Sequence, residues 1–192
     1  MRSQRCQVKA VMVTSIKWSV ADYHLMIKSG VLNNRSVELI AGEIIEVSPE
    51  SPLHRYTNDS VADYLRKVLG GKAKVFESHP VTLSNSEPEP DIAIVTLPSE
   101  RYLNHHPYPE DIYWLIEISN TTLDYDLNQK KSVYAAAGIN EYWVVDLQNK
   151  ELVVFREASN NDYKTKATLN SGTVTPLAFP ELKISISTFF SR

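Results

Sequence analysis

Asp91, Glu117 and Lys130 are the side chains in this 192-residue chain whose types and positions suit chemistry at a bound cation. Glu117 is the one carboxylate in the otherwise apolar run Ile112-Tyr113-Trp114-Leu115-Ile116-Glu117-Ile118-Ser119. An ionised group embedded in such a run is costly unless something pairs with it, and a metal ion is one such partner. Asp91 ends the stretch Glu87-Pro88-Glu89-Pro90-Asp91 and stands at the mouth of the apolar segment Ile92-Ala93-Ile94-Val95. If the two apolar segments pair as strands, both acids can lie within reach of one divalent cation.

The elements that must position these groups are legible around them. Ile112 to Ser119 is rich in β-branched and aromatic residues, as expected of a strand buried on both faces. Asn120 to Asp126 is a cluster of turn and cap formers. Asp126 is the predicted N-cap of a helix through about Ala137, with Gly138 as its left-handed stop. Tyr142-Trp143-Val144-Val145 reads as the next strand, so strand, helix and strand make a right-handed unit with parallel strands. Lys130 and Lys131 fall in the first turns of that helix, near the end of the Glu117 strand. Both stand at helical spacing from Tyr134, and periodicity does not separate them.

Pro90-Asp91, then Glu117-Ile118-Ser119, then a downstream lysine resembles the PD-(D/E)XK nuclease core. More narrowly, Asp126-Leu127-Asn128-Gln129-Lys130, Tyr134-Ala135, Ala137-Gly138-Ile139 and Glu141-Tyr142-Trp143 resemble a large bacterial family of restriction-endonuclease-like proteins, first catalogued as a domain of unknown function. Glu38-Leu39-Ile40, Gly42-Glu43 and Ser48-Pro49 followed by His54 fit the same family, and the likeness spans roughly Trp18 to Phe155. One departure stands out: the motif's usual lysine lies two positions after the Glu, where this chain has Ser119. The resemblance implies a migrated lysine, Lys130, and only the family register chooses it over Lys131.

Bulk properties narrow the classes. With 43% hydrophobic residues the chain can bury a core as one domain. A single cysteine, Cys6, excludes an internal disulfide framework and a cysteine zinc cluster. No run reads as a membrane span or signal peptide, so cytoplasmic residence is expected. A net charge of −3 and a pI near 6.0 tell against a dedicated nonspecific nucleic-acid binder. A basic patch of Arg55, Arg66, Lys67, Lys72 and Lys74 reads better as a solvated helix face than as a DNA contact. There is no HExxH, P-loop, GxGxxG or GxSxG.

Along the chain, residues 1–17 read as a flexible tail, with Met12 a candidate true start, and 18–192 as one endonuclease-like domain. Ser19 caps a helix to Ser29 with Asp22 three residues on, Val20, Tyr23, Met26 and Ile27 on its apolar face, and Gly30 as the stop. Val37 to Ile40 and Glu43 to Val47 bracket Ala41-Gly42 as a hairpin, with Glu38 and Leu39 on opposite faces of a half-exposed pair. Ser51-Pro52 opens a second helix closed by Gly70-Gly71, its apolar spacing carried by Leu53, Tyr56, Val61, Tyr64, Leu65 and Val68. Lys74 to Phe76 and Val81 to Leu83 are short strand candidates, and Arg101 to Asp111 is a loop. Glu151 to Phe155 pairs back on the preceding strand. The tail ending in Ile184, Ile186, Phe189 and Phe190 adds a hairpin and a segment docked on the core or on a second subunit.

The expected fold is therefore α/β tending to α+β: a restriction-endonuclease-like mixed sheet flanked by helices, with an N-terminal hairpin and a C-terminal β segment. Taken singly, Asp91 reads as a turn residue after proline and Glu117 as a strand acid paired with a lysine. The ordered motifs together favour a site. The resemblance implies Asp91 and Glu117 as ligands of Mg²⁺ or Mn²⁺, with the Ile118 carbonyl completing the protein's share. Lys130 would orient the attacking water or stabilise the phosphorane. It also places His54 near the metal, offers Glu43 as a further acid from an early element, and leaves Tyr134 as a hydrogen-bonding neighbour. The expected activity is hydrolysis of DNA phosphodiester bonds, by a homodimer suggested by the apolar tail and the family likeness. Ser119 and the acidic pI motivate the rival, a catalytically degenerate binding or assembly module on the same fold.

Overall fold

The structure, a computed structural model, describes residues 14–190, so the expected tail and Met12 as a start lie largely outside the described residues. The chain forms α1 (Val20–Ser29), β1 (Val37–Ile40), β2 (Glu43–Glu46), α2 (Pro52–Leu69), β3 (Lys74–Glu77), β4 (Ile92–Val95) and β5 (Ile112–Ser119). Then follow α3 (Leu123–Tyr125), a π-helical turn (Asp126–Lys130), α4 (Lys131–Ala136), β6 (Glu141–Asp146), β7 (Glu151–Ser159), β8 (Asp162–Leu169), β9 (Thr173–Val174) and β10 (Ile184–Ser185).

Six strands form one sheet in the order β3-β4-β5-β6-β7-β8. Every neighbouring pair is antiparallel except β5 and β6, which run parallel because the α3–α4 segment carries the chain back across the sheet. Mixed sheet, flanking helices, N-terminal hairpin β1–β2 and C-terminal β segment are as the sequence implies.

Alternation along β4 and β5 sorts residues between two cores. Ile92, Ile94, Trp114, Ile116 and Ile118 face the side covered by α2, where Val61, Leu65 and Leu69 pack. Ala93, Val95 and Leu115 face the side covered by α4, with Tyr134, Tyr142 and Phe155. By the same alternation Asp91 and Glu117 belong with Leu115, on the α4 side.

Several elements differ from expectation. Asp126 is not an N-cap: the helix starts at Leu123 after Thr122, and Asp126 lies inside it, buried. Val81 to Leu83 is no strand, although Val81 and Leu83 are buried beneath the α4-side core. The stretch 101–111 contains part of one 3₁₀ turn, Ser99–Leu103, and all of another, Pro109–Asp111. In α1 only Tyr23 is buried, while Ile27 stays exposed. In α2 the buried face is Thr57, Asn58, Val61, Ala62, Leu65 and Leu69, and Leu53 and Tyr56 face solvent. In the first turn of α2 the inward side chain is His54, which reaches Asp91 beside β4, so Leu53 and Tyr56 fall on the outer face. At the C-terminus Ile184, Ile186 and Phe189 are buried in the chain's own core, which removes the apolar tail as a reason for a second subunit.

The α2 face yields a test. Leu65→Ala is expected to destabilise by about 2–5 kcal/mol, as for other fully buried leucines, whereas Leu53→Ala should stay within about 0.5 kcal/mol. Urea denaturation of both variants checks it.

Candidate active site

The end of β5, the start of β4, the β1–β2 hairpin, the first turn of α2 and the π-helical turn converge on a cleft of ≈ 1280 Å³. Ile92 pairs with Ile116, so one step further Asp91 stands beside Glu117. Two like charges side by side repel, and the surrounding side chains show what offsets that. Lys130 Nζ lies 3.0 Å from Glu117 Oε1 and 3.4 Å from Glu38 Oε1, and Tyr134 Oη donates to Glu117 Oε1 at 2.6 Å. Asp91 Oδ2 accepts from the Ile118 backbone N–H at 2.6 Å and lies 3.1 Å from His54 Nε2.

The contacts are one-sided. Lys130 and Tyr134 both engage Glu117 through Oε1, and His54 and Ile118 both engage Asp91 through Oδ2. Among the described residues no donor reaches the second oxygen of either acid, which leaves one oxygen apiece for a cation. His54 Nδ1 is buried without a hydrogen-bond partner, with Glu50 Oε2 3.6 Å away. One ligand atom from each of Glu50, His54 and Asp91 falls within 4.8 Å of the others. Oxygen donors with one imidazole nitrogen suit a divalent cation, so the residues present fit such an ion.

Burial dominates the electrostatics. It pushes the Glu117 carboxyl well up, with Asp91, Asp126 and Glu38 pushing the same way and Lys130 opposing. Burial would strip the Lys130 proton, but Glu117, Glu38, Asp126 and Asp91 outweigh it and hold the ammonium charged. Burial pulls the His54 ring down, but the hydrogen bond and charge of Asp91, together with Glu50 and Asp126, outweigh it and raise the ring.

A second cluster ties the helix to the sheet. Asp126 Oδ2 accepts from Ser119 Oγ at 2.6 Å and Thr122 Oγ1 at 2.7 Å, and Tyr142 Oη donates to the Asp126 carbonyl at 3.1 Å. The π-helical turn that begins at Asp126 ends on Lys130 and turns that side chain into the cleft.

The structure thus brings Asp91, Glu117, Lys130 and His54 together. Glu43 is not among them: it is exposed and paired with Lys17. The hairpin's contribution is Glu38, which is 4% exposed and also accepts from the Glu89 backbone N–H. The sequence pattern marks Glu38 only as half-exposed, because alternation gives parity but not which face of a hairpin is covered. Lys131 points away, paired with Asp162 and lying over the Phe155 ring. Asp126 and Glu50 join the site without a sequence signal for it: the first has the composition of a cap, and nothing in the spacing marks the second.

A family model described as "Uma2: Putative restriction endonuclease" matches residues 20–187. Among solved structures the chain is similar to that of a "putative nuclease belonging to DUF820 from Anabaena variabilis ATCC 29413", with a TM-score of 0.65 and 20% identity over 81% of this chain and 89% of that one. No curated protein matches the chain.

The ion pair at the centre of the cleft predicts its own pH dependence. A carboxyl whose pKa is higher folded than unfolded binds more protons on folding, so its contribution to stability is complete below the unfolded value and is lost as pH rises from there through the folded one. Lys130 is the group that opposes this at Glu117. Lys130→Met is therefore expected to cost about 3–5 kcal/mol at about pH 8, where a buried acid loses its partner, and distinctly less at about pH 5. Lys131→Met should cost no more than about 1 kcal/mol at either pH. Urea unfolding at the two pH values distinguishes them.

Proposed function

Because the chain belongs to Uma2, the family of putative restriction endonucleases, we propose that it is a metal-dependent nuclease that hydrolyses phosphodiester bonds of DNA. The observation that carries the reading is the meeting of Asp91, Glu117 and Lys130 in one cleft, each acid with an oxygen left free. Those two oxygens would hold Mg²⁺ or Mn²⁺, with His54 and Glu50 on the outer side of Asp91. Once bound, such an ion neutralises charge developing on the scissile phosphate and lowers the pKa of its water.

The protein's own groups have distinct roles. Lys130 is held as an ammonium by Glu117 and Glu38, so it serves as a fixed positive charge near the reacting phosphate and not as a base. Tyr134, donating to the same Glu117 oxygen as Lys130, fixes the carboxylate's rotation. His54 and the Ile118 amide do the same for Asp91. The Ser119–Asp126–Thr122 contacts pin the helix that delivers Lys130, so the serine in the usual lysine position supports the lysine that stands in for it. DNA is the substrate class that the family description suggests. No helix among the described residues is long and apolar enough to cross a membrane.

Supercoiled, linear and single-stranded DNA incubated with Mg²⁺ or Mn²⁺ test the reading. Cleavage is expected, and Asp91→Ala and Glu117→Ala should each lower the rate on the order of 10²-fold or more. Calorimetry should show a Mn²⁺ binding heat that Asp91→Asn abolishes. A parent that cuts no DNA form and gives no heat at millimolar metal would leave the binding-module reading in its place.

A further inference from the structure

The cleft poses an electrostatic problem that its metal-facing groups do not solve. Seven carboxyl side chains line it against three cationic ones, and one of those three, Lys130, is already engaged by Glu117 and Glu38. A polyanion entering such a cleft is repelled unless cations near the entrance meet it. The other two are Arg35 and Arg55.

These two differ from the remaining described arginines. Arg66 bonds Asp63 and Glu77, Arg101 pairs with Asp111 at 2.8 Å, and Arg156 pairs with the buried Glu141 at 2.8 Å. Arg35 and Arg55 make no side-chain hydrogen bond or ion pair among the described residues, although Glu46 and Glu50 line the same cleft, and both are exposed. They come from separate elements. Arg35 precedes β1, close upstream of Glu38, and Arg55 follows His54 in the first turn of α2. Each therefore sits beside an element that supplies a side chain to the acid cluster.

We propose that Arg35 and Arg55 form a phosphate clamp, two unpaired guanidinium groups on the cleft wall that grip backbone phosphates flanking the one to be cut. Guanidinium is well suited to phosphate, because its planar fork bonds two phosphate oxygens at once. It also stays charged at any working pH and is more weakly hydrated than an ammonium. Backbone contacts of this kind hold register and orientation and carry no sequence information, so the clamp sets affinity and not target sequence. The residues grouped with Arg55 in the sequence do not belong to it, and Lys74 lies outside the cleft over the Phe76 ring. Arg66 and Lys72 are spent on Asp63, Glu77 and Glu181, and Lys67 lies outside the cleft.

The clamp rests on the nuclease reading of the cleft, and the salt dependence of binding separates the two. Fluorescence anisotropy with a labelled duplex and a labelled single strand, in Ca²⁺ to hold the site loaded, gives log K against log [KCl]. Arg35→Ala and Arg55→Ala are each expected to reduce the slope by about 0.9 on duplex or about 0.7 on single strand, uniformly across sequences. Arg35→Lys and Arg55→Lys should restore the slope while recovering affinity only in part. Lys67→Ala and Lys183→Ala, exposed and outside the cleft, should change nothing, and the Mn²⁺ binding heat should be the same in every variant. A parent that binds and cuts DNA while Arg35→Ala and Arg55→Ala keep its slope and affinity overturns the clamp alone. A parent that binds neither form overturns the clamp together with the nuclease reading.

Discussion

Everything in the cleft depends on one buried ion pair, Lys130 with Glu117, under the influence of three more acids. Glu117 is 3% exposed and Lys130 is 7% exposed, so neither can recover its lost hydration from solvent. Placing Asp91 beside Glu117 and bringing Glu38 across from the hairpin would be prohibitive without that ammonium. The elements around it are arranged accordingly: a π-helical turn sets the lysine's direction, Tyr134 shares its acceptor, and the Glu38 carboxylate also holds a backbone amide. A network of this kind is strong only when each member is satisfied, and here the two acids with an unbonded oxygen, Asp91 and Glu117, line the same cleft.

Burial of an acid alone would not identify a site, as the same molecule demonstrates. Glu141 is fully buried, yet Trp143 Nε1, Arg156 Nε and the Leu177 N–H occupy its oxygens at 2.6 to 2.9 Å. Asp111 is closed off by Arg101 and the Tyr108 N–H, and Asp146 by Gln148 and Asn149. These acids cap turns and lock strands. Asp91 and Glu117 differ in retaining acceptor capacity toward a cavity. Fold and site are thus separable: the sheet tolerates buried carboxylates wherever local donors saturate them, and chemistry becomes available where donors leave an oxygen over.

Legibility follows how local each determinant is. The limits of β5, the αL stops at Gly30, Gly70 and Gly138, the Ser19 capping box and the parallel β5–β6 pair can all be read from neighbouring residues. Capping, turn formation and crossover handedness act over a few positions. The α2 face is less legible, because its apolar spacing continues through Leu53 and Tyr56, which the fold leaves exposed while His54 between them turns inward to Asp91. Asp126 has the composition of a cap, but the donors that claim it, Ser119 and Thr122, precede it in the chain and draw the helix start upstream.

The sequence by itself determined the succession of the main elements along the chain, the parallel strand–helix–strand unit, and the family motifs that link Asp91 and Glu117 to Lys130. Those follow from side-chain periodicity and covalent order, which need no knowledge of distant contacts. Tertiary structure alone decided that the hairpin acid is Glu38 and not Glu43, that Asp91 and Glu117 share one side of the sheet, and that two arginines are left without partners among the described residues. The reason is that burial and ion pairing are relations between elements far apart in the chain. Which of two adjacent residues is covered depends on what packs over it, and only the assembled fold supplies that surface.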